Sequence, residues 1–379
     1  MTASRRARGG HAEEGGRQPD SQAASSGQQG GESAPPYHVA MSATMRDVAN
    51  QAGVSIKTVS RVVNGEPHVR PETARQVLRA IGELGWVANE AARSMRTGKT
   101  NRLGIAVSGL RRPRLARLVE SIVHEADGRG MAAVVEPTHE DMARLTRIGS
   151  DLGQHFDGLV VVAPTQVPDE LVVALRGMPV VAVQSGRPGI GWDSVDDDVG
   201  DAVALICRHL SVMGRTSVAL LGPDRAVGPH EETPSHRMRE AMASVGLDSD
   251  ALYVALEGTD PRAAGASAAQ EALLLRPRLD AVVCSDDEVA LGALWALDRA
   301  GVTVPDDVAV IGYDALSDGV FSTPSLTTVD PVTDRIAHTA LALLVERIAG
   351  EAPAEPRSVL LPVELLRRES TMGSLWSGR

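Results

Sequence analysis

The sequence predicts a small all-α helix-turn-helix head followed by an α/β body of two doubly wound parallel sheets, and three observations carry that prediction. Residues 44–100 hold helical periodicity with caps and turns spaced for a three-helix unit. After Arg102 the texture changes to short apolar runs separated by helix-length stretches. Charge divides at the same place. Residues 44–100 carry nine basic side chains against five acidic ones, net +4, residues 1–43 are neutral, and since the whole chain is −11 the remainder holds −15. A basic module before an acidic body points to a nucleic-acid partner for the head.

Residues 1–43, rich in Gly, Ser, Gln and Ala, lack a periodic apolar pattern and are expected to be a disordered tail. RRAR near the start is not followed by the apolar stretch of a secretory signal, so a cytoplasmic location is expected, and Met41 and Met45 are alternative starts to Met1. TMRD places Thr44 and Asp47 in a capping box, and Val48, Ala49 and Ala52 form the inward stripe of the first helix. Gly53 supplies a tight turn, Ser55 an N-cap, and a second helix is expected over Ile56–Asn64 until Gly65 stops it. Pro71 suits a first turn, and Val77, Ile81 and Leu84 share a face of the third helix up to Gly85.

In the body, LGIAVSG, AAVVEP, GLVVVA, PVVAVQ, SVALLG, AVVCSD and VAVIGYD are short apolar runs of the kind that become buried parallel strands. They are too many for one half-sheet. Two lobes with a cleft are expected, with a crossing near residues 211–215 and a ligand at the carboxyl ends of the strands.

Composition excludes several classes. The chain has 379 residues, 43% hydrophobic and 23% charged, with room for two or three domains. No apolar run is long enough to cross a bilayer, so no membrane partner is expected. Cys207 and Cys284 have no CxxC or Cys/His spacing around them, which argues against a disulfide framework or a structural metal, and no cofactor is expected. There is no nucleophile elbow or dinucleotide fingerprint, hence no catalytic set and no enzyme. TGKT ends like a phosphate-binding loop, but Arg93 stands where that motif needs its first glycine.

The words DVA, AGVS, TVSRVVN and PETAR within residues 44–100 closely resemble the head of the lactose-repressor (LacI/GalR) family. The resemblance implies a transcriptional regulator, a repressor by preference, that reads a pseudo-palindromic double-stranded operator as a homodimer. It implies domains over residues 1–43 (tail), 44–88 (head), 89–100 (hinge) and 101–379 (effector-binding and dimerisation). By position, Ile56, Lys57 and Arg61 resemble the base readers. Arg61 suits guanine O6 and N7, Lys57 suits guanine as a point charge, and Ile56 suits a thymine methyl or a plain solvent-facing place. Thr58, Ser60 and Asn64 suit phosphates. NEAARSMRTGKT resembles the hinge helix, with Ala92 as the small packing residue, Met95 as a minor-groove wedge and Arg96 as a phosphate contact.

VDDD, CRHLSVMGR, VVCSDDEVALGALWAL, GVTVPDDVAVIGYD and PSLTTVDP, in that order, extend the resemblance over residues 101–370 and imply the periplasmic-binding-protein type I fold with a small-molecule effector between the lobes. Asp198, Asp287 and Asp314 match acidic cleft positions, and Asp287 suits a helix cap equally well. Arg237 or Arg239 matches the cleft arginine. Arg114 and Leu115 stand where many relatives carry aromatics, and Trp192, Trp295 and Phe321 are the remaining rings for stacking or packing. A sugar or sugar derivative is expected before a nucleobase. An activator or an effector-independent regulator of the same fold is the alternative, and a solute-binding receptor a distant one. Nucleoid association is expected when DNA is bound.

Overall fold

The computed structural model describes residues 43–63, 66–86, 98–164, 167–185, 191–223, 242–245 and 251–373. It divides into two compact units, Met1–Ala88 and Asn89–Arg379. The expectations placed on residues 1–42 and on Asn64, Ala92, Met95, Arg96, Arg237 and Arg239 lie outside the described residues.

The first unit holds α1 (Met45–Gln51), α2 (Ile56–Val63) and α3 (Pro71–Leu84). The capping box is complete: Asp47 N donates to Thr44 Oγ1 at 3.3 Å, and Thr44 N donates to Asp47 Oδ2 at 2.8 Å. Gly53 turns the chain with φ +62°, a conformation that costs a side-chain-bearing residue more. Thr58 N then donates to Ser55 Oγ at 3.2 Å and so caps α2. Val48, Ala49, Val59, Val77, Ala80 and Trp86 form the core. Ala80 completes the buried face of α3, whereas Ile81 and Leu84 are only half-covered, because a three-helix unit is too thin to enclose side chains at the rim of each face.

The second unit is a pair of α/β lobes. The first runs through β1 (Arg102–Val107), α4 (Pro113–Gly128), β2 (Ala132–Pro137), α5 (Met142–Ser150), β3 (Gly158–Val162), α6 (Asp169–Ala174), β4 (Val180–Val183) and β5 (Asp193–Asp197). The second contains α7 (Val199–Val212), β6 (Val218–Gly222), β7 (Leu252–Ala255), α8 (Pro261–Leu275), β8 (Ala281–Cys284), α9 (Asp287–Arg299), β9 (Ala309–Tyr313), α10 (Asp318–Phe321) and β10 (Thr327–Asp330). The chain returns to the first lobe for α11 (Thr333–Ala349) and β11 (Ser358–Leu361), then ends in the second with β12 (Glu364–Leu366) and α12 (Glu369–Met372). The sheet orders are β11-β5-β4-β3-β1-β2, parallel throughout, and β12-β10-β9-β8-β6-β7, where only β12 is antiparallel.

The lobes are therefore joined at Asp198, at residues 331–332 and at residues 362–363. Residues 211–215, expected to cross, instead end α7 and turn into β6 within the second lobe, the turn being closed by Arg215 N donating to Leu210 O at 2.9 Å. Each apolar run became a strand, while β5, β7, β10, β11 and β12 were not anticipated as strands. β5 shows why. Its sequence DSVDD is fully buried, which an apolar-run criterion rejects. Burial works against the Asp193 charge, but hydrogen bonds from Arg347 (Nη2 at 2.6 Å) and Arg357 (Nη2 at 2.7 Å) outweigh it and hold the carboxyl below its usual range.

Leu118 and Ile122 of α4 and Leu341 and Leu344 of α11 cover one face of the first sheet, and α5 and α6 cover the other. Each such fully buried side chain contributes roughly 1.5–3 kcal/mol. In the second lobe α8 and α9 pack almost backbone to backbone. A Cβ on Gly265 would lie 2.2 Å from Val289 O, and one on Gly292 would lie 1.9 Å from Arg262 O, so both helices need glycine at the crossing. Among the described residues no helix is long and apolar enough to cross a membrane.

Candidate functional site

On the head, α2 has one buried residue, Val59. Ile56, Lys57 and Arg61 are exposed, with Lys57 and Arg61 one helical turn apart on one face. Arg61 Nε sits 3.6 Å from Glu66 Oε2 with both side chains about half exposed, an ion pair worth ~0–1 kcal/mol that DNA can displace. Thr58 and Ser60 are half-buried, and Thr58 Oγ1 lies 2.9 Å from Ser55 Oγ. Thr58 thus serves the cap of its own helix.

In the body the carboxyl ends of both sheets face one cleft. Ser108 after β1, Pro164 after β3 and Gln184 after β4 meet Pro223 after β6, Asp286 after β8 and Asp314 after β9 around a cavity of about 560 Å³. A second cavity of about 330 Å³ adjoins it, sharing Arg114, Gln184, Pro223 and Ser285, and is walled by Val203, Ile206, Leu220 and Tyr313. Left-handed backbone at non-glycine residues recurs around the cleft, at Glu140 (φ 62°), Ala163 (46°), Gln184 (52°), Asp314 (108°) and Ala315 (51°). Strain of that kind persists only where the surrounding structure holds it, and it clusters at functional sites.

Arg114 spans the lobes. Its Nε donates to Gln184 Oε1 at 3.1 Å, its Nη2 donates to Asp197 Oδ1 at 3.4 Å, and Nε lies 3.3 Å from Asp314 Oδ1. Its guanidinium is 5.9 Å from the Tyr313 ring centre, and the Tyr313 hydroxyl donates to Asp197 Oδ2. Arg117 Nη1 adds a bond to Ala315 O at 3.3 Å. Burial works against the Arg114 charge, but Asp314 and Asp197 hold its pKa above the ordinary arginine value. Asp314 moves the other way. Burial lifts its pKa well above the carboxylate range, Arg114 opposes this, and Asp286, Asp287 and Asp197 add to it, because one guanidinium serves several carboxylates. Asp314 is only 6% exposed and its Oδ1 receives no hydrogen bond.

The sequence candidates separate on this frame. Asp314 lines the larger cavity. Asp287 lines neither and does not cap α9: the N-cap is Asp286, whose Oδ1 accepts from Val289 N at 2.9 Å. Asp287 is fully buried one residue on, accepting from Thr328 Oγ1 at 2.6 Å and Leu316 N at 2.7 Å, and burial lifts its pKa to about 7. Asp198 is the N-cap of α7, accepting from Asp201 N at 3.0 Å, while its neighbours Asp196 and Asp197 line the smaller cavity. Trp192 is buried in the first lobe, and Trp295 and Phe321 are surface rings outside both cavities. The sequence reading did not select Asp286, Glu288 or Arg112. The SDDE and RRPR runs contain them, but periodicity does not say which member of a charged run faces a cavity.

Residues 44–89 match the family profile "Bacterial regulatory proteins, lacI family", and residues 207–371 match "Periplasmic binding protein-like domain". The HTH-type transcriptional regulator CelR of Thermobifida fusca is 33% identical over 338 residues, covering 86% of this chain and 98% of CelR. This chain belongs to the LacI family of bacterial regulatory proteins. As a LacI-family member it is a transcriptional regulator and not an enzyme. Among solved structures, the lac repressor dimer bound to operator and the anti-inducer ONPF superposes with a TM-score of 0.72 at 27% identity, covering 87% of this chain and 99% of that one. A CelR–cellobiose complex does so with a TM-score of 0.61 at 30% identity, covering 86% and 99%.

Proposed function

We propose that this LacI-family regulator is a repressor that binds a pseudo-palindromic operator as a homodimer and is controlled by a small hydroxylated metabolite, a sugar or sugar derivative, held between its lobes. The observation that carries the effector half is Asp314, a buried carboxylate with one oxygen free of hydrogen bonds on the wall of a 560 Å³ cavity at the strand ends. Exposed Ile56, Lys57 and Arg61 on α2 support the DNA half, with those three on base edges, and Thr58, Ser60 and Asn64 are assigned to phosphates. The lac repressor dimer on its operator and CelR with cellobiose support the same division of labour. Residues 89–100 serve as the hinge, Ala92 packing, Met95 wedging and Arg96 on phosphate, between a head over residues 44–88 and a body over residues 101–379. Arg237 or Arg239 joins Asp314 at the effector. The protein acts in the cytoplasm, on the nucleoid when bound.

Selection of bound sequences from a random DNA pool, run on wild type and Arg61→Ala, tests the DNA half. The variant loses roughly 1–3 kcal/mol on the selected operator and relaxes one base pair per half-site. An unchanged preferred sequence sinks the assignment of α2. Sedimentation of the protein on a two-half-site duplex, with one dimer expected per duplex, tests the assembly.

A further inference from the structure

We propose that Asp157 is a positioning residue for operator binding: its carboxylate holds Thr100 and Asn101 in a fixed bend where the chain enters the body, and so ties the course of the hinge to the first lobe. This rests on the reading of residues 89–100 as a hinge between a DNA-binding head and the body of a homodimer.

Both oxygens of the carboxylate are spent on the entering chain. Asp157 Oδ1 accepts from Thr100 N at 2.7 Å and from Thr100 Oγ1 at 2.9 Å, and Oδ2 accepts from Asn101 N at 2.7 Å. Arg102 N donates to Thr100 Oγ1 at 3.1 Å, and Asp157 N donates to Arg102 O at 2.8 Å. Hydrogen bonds to a carboxylate are roughly twice as strong as those between neutral groups. The anchor itself is firm, because the preceding Phe156 is 5% exposed in the first-lobe core, where a Cβ on Gly104 would come within 3.0 Å of its ring, and the following Gly158 begins β3.

The second lobe repeats the clamp without the bend. Asp280, just before β8, accepts from Thr216 N at 2.9 Å and Thr216 Oγ1 at 3.3 Å through Oδ2, and from Ser217 N at 2.9 Å through Oδ1, at the start of β6. The chain arriving there is the end of α7, already packed in that lobe. Asn101 is left-handed with φ 52°, whereas neither Thr216 nor Ser217 has a positive φ. The clamp thus belongs to the sheet plan, and the bend is added only where the chain arrives from the head. Asparagine tolerates this backbone better than most residues with side chains, and the bonds to Asp157 hold it there.

Two heads on one duplex reinforce each other only if each is kept within reach of its half-site, so freedom at the entry bend lowers the effective concentration of the second head. A single head on a single half-site does not feel that loss.

Titration of the full chain onto two duplexes tests this, one carrying both copies of the half-site found by selection and one carrying a single copy beside a scrambled one. Asp157→Ala is expected to weaken binding to the two-site duplex about tenfold or more and to leave the one-site duplex within about twofold. Asp280→Ala, which removes the matching bonds, lowers the melting temperature of the body to a similar extent and leaves both affinities in place. Thr100→Val shifts the two-site affinity in the same direction as Asp157→Ala, and Thr100→Ser, which keeps the hydroxyl, restores it. A two-site to one-site ratio unmoved by Asp157→Ala, or moved as far by Asp280→Ala, overturns the positioning role and leaves the operator reading standing. Should an alanine variant fail to fold, the Thr100 pair decides by the same ratio. Wild type that binds two half-sites no more tightly than one overturns both.

Discussion

Asp287 and Asp314 are both buried carboxylates near strand ends of the second lobe, yet they do different work. Asp314 keeps an oxygen without a hydrogen bond beside the cleft, while Asp287 spends its two on Thr328 and Leu316 and ties α9 to β10 and to the loop after β9. A carboxyl whose folded pKa is raised binds its proton more tightly when folded, so its stabilising contribution is full below the unfolded value and is lost as pH rises through the folded one. For Asp287 that window runs from 3.8 to about 7. Urea unfolding of wild type and Asp287→Asn is expected to give a stability difference that shifts against wild type across this range, by up to about 4 kcal/mol. A difference constant from pH 4 to pH 7 would show that the carboxyl is ionised throughout. From the sequence both aspartates matched cleft positions, Asp287 suiting a helix cap equally well, because burial and partners separate them and neither is written in spacing.

At the scale of elements, caps and glycines carry testable weight. Thr44→Ala removes the hydroxyl that satisfies Asp47 N and should cost the head about 1 kcal/mol, read as a lower melting temperature of the head with the body unchanged. Gly292→Ala should be harsher. Its Cβ would meet the Arg262 carbonyl at 1.9 Å, so α8 and α9 must part, and a loss of roughly 1–3 kcal/mol or more in denaturant unfolding of the body is expected. A neutral Gly292→Ala would mean that the two helices can slide at no cost. The Thr44 cap was legible in the TMRD word, since a capping box is local. Gly292 was not, because its need for a hydrogen in place of a side chain comes from a helix beginning at Pro261.

For the whole molecule, Arg114 is one of the side chains that tie the two lobes, beside Tyr313 and Arg117. It reaches Gln184 and Asp197 of its own lobe and Asp314 of the other, with Tyr313 of the second lobe donating to the same Asp197. Arg114→Gln keeps length and polarity but removes the charge. It should cost on the order of 1 kcal/mol, given its partial exposure, and raise the radius of gyration of the ligand-free protein in solution scattering. An unchanged radius would place closure on the Tyr313–Asp197 and Arg117–Ala315 bonds.

The sequence by itself determined the head, the α/β class of the body and the two-lobed plan. These depend on caps, turns and apolar runs that act within a few residues, and on family words whose order survives in the chain. The tertiary structure alone decided what lies in the cleft. A buried strand of sequence DSVDD is possible only because Arg347 and Arg357 arrive from more than 150 residues away. The crossing at Asp198, the exchange of capping from Asp287 to Asp286, and the pairing of RRPR with acids of the other lobe likewise follow from which strand ends meet. Contacts of that range are set by the packing of whole lobes, which no local pattern encodes.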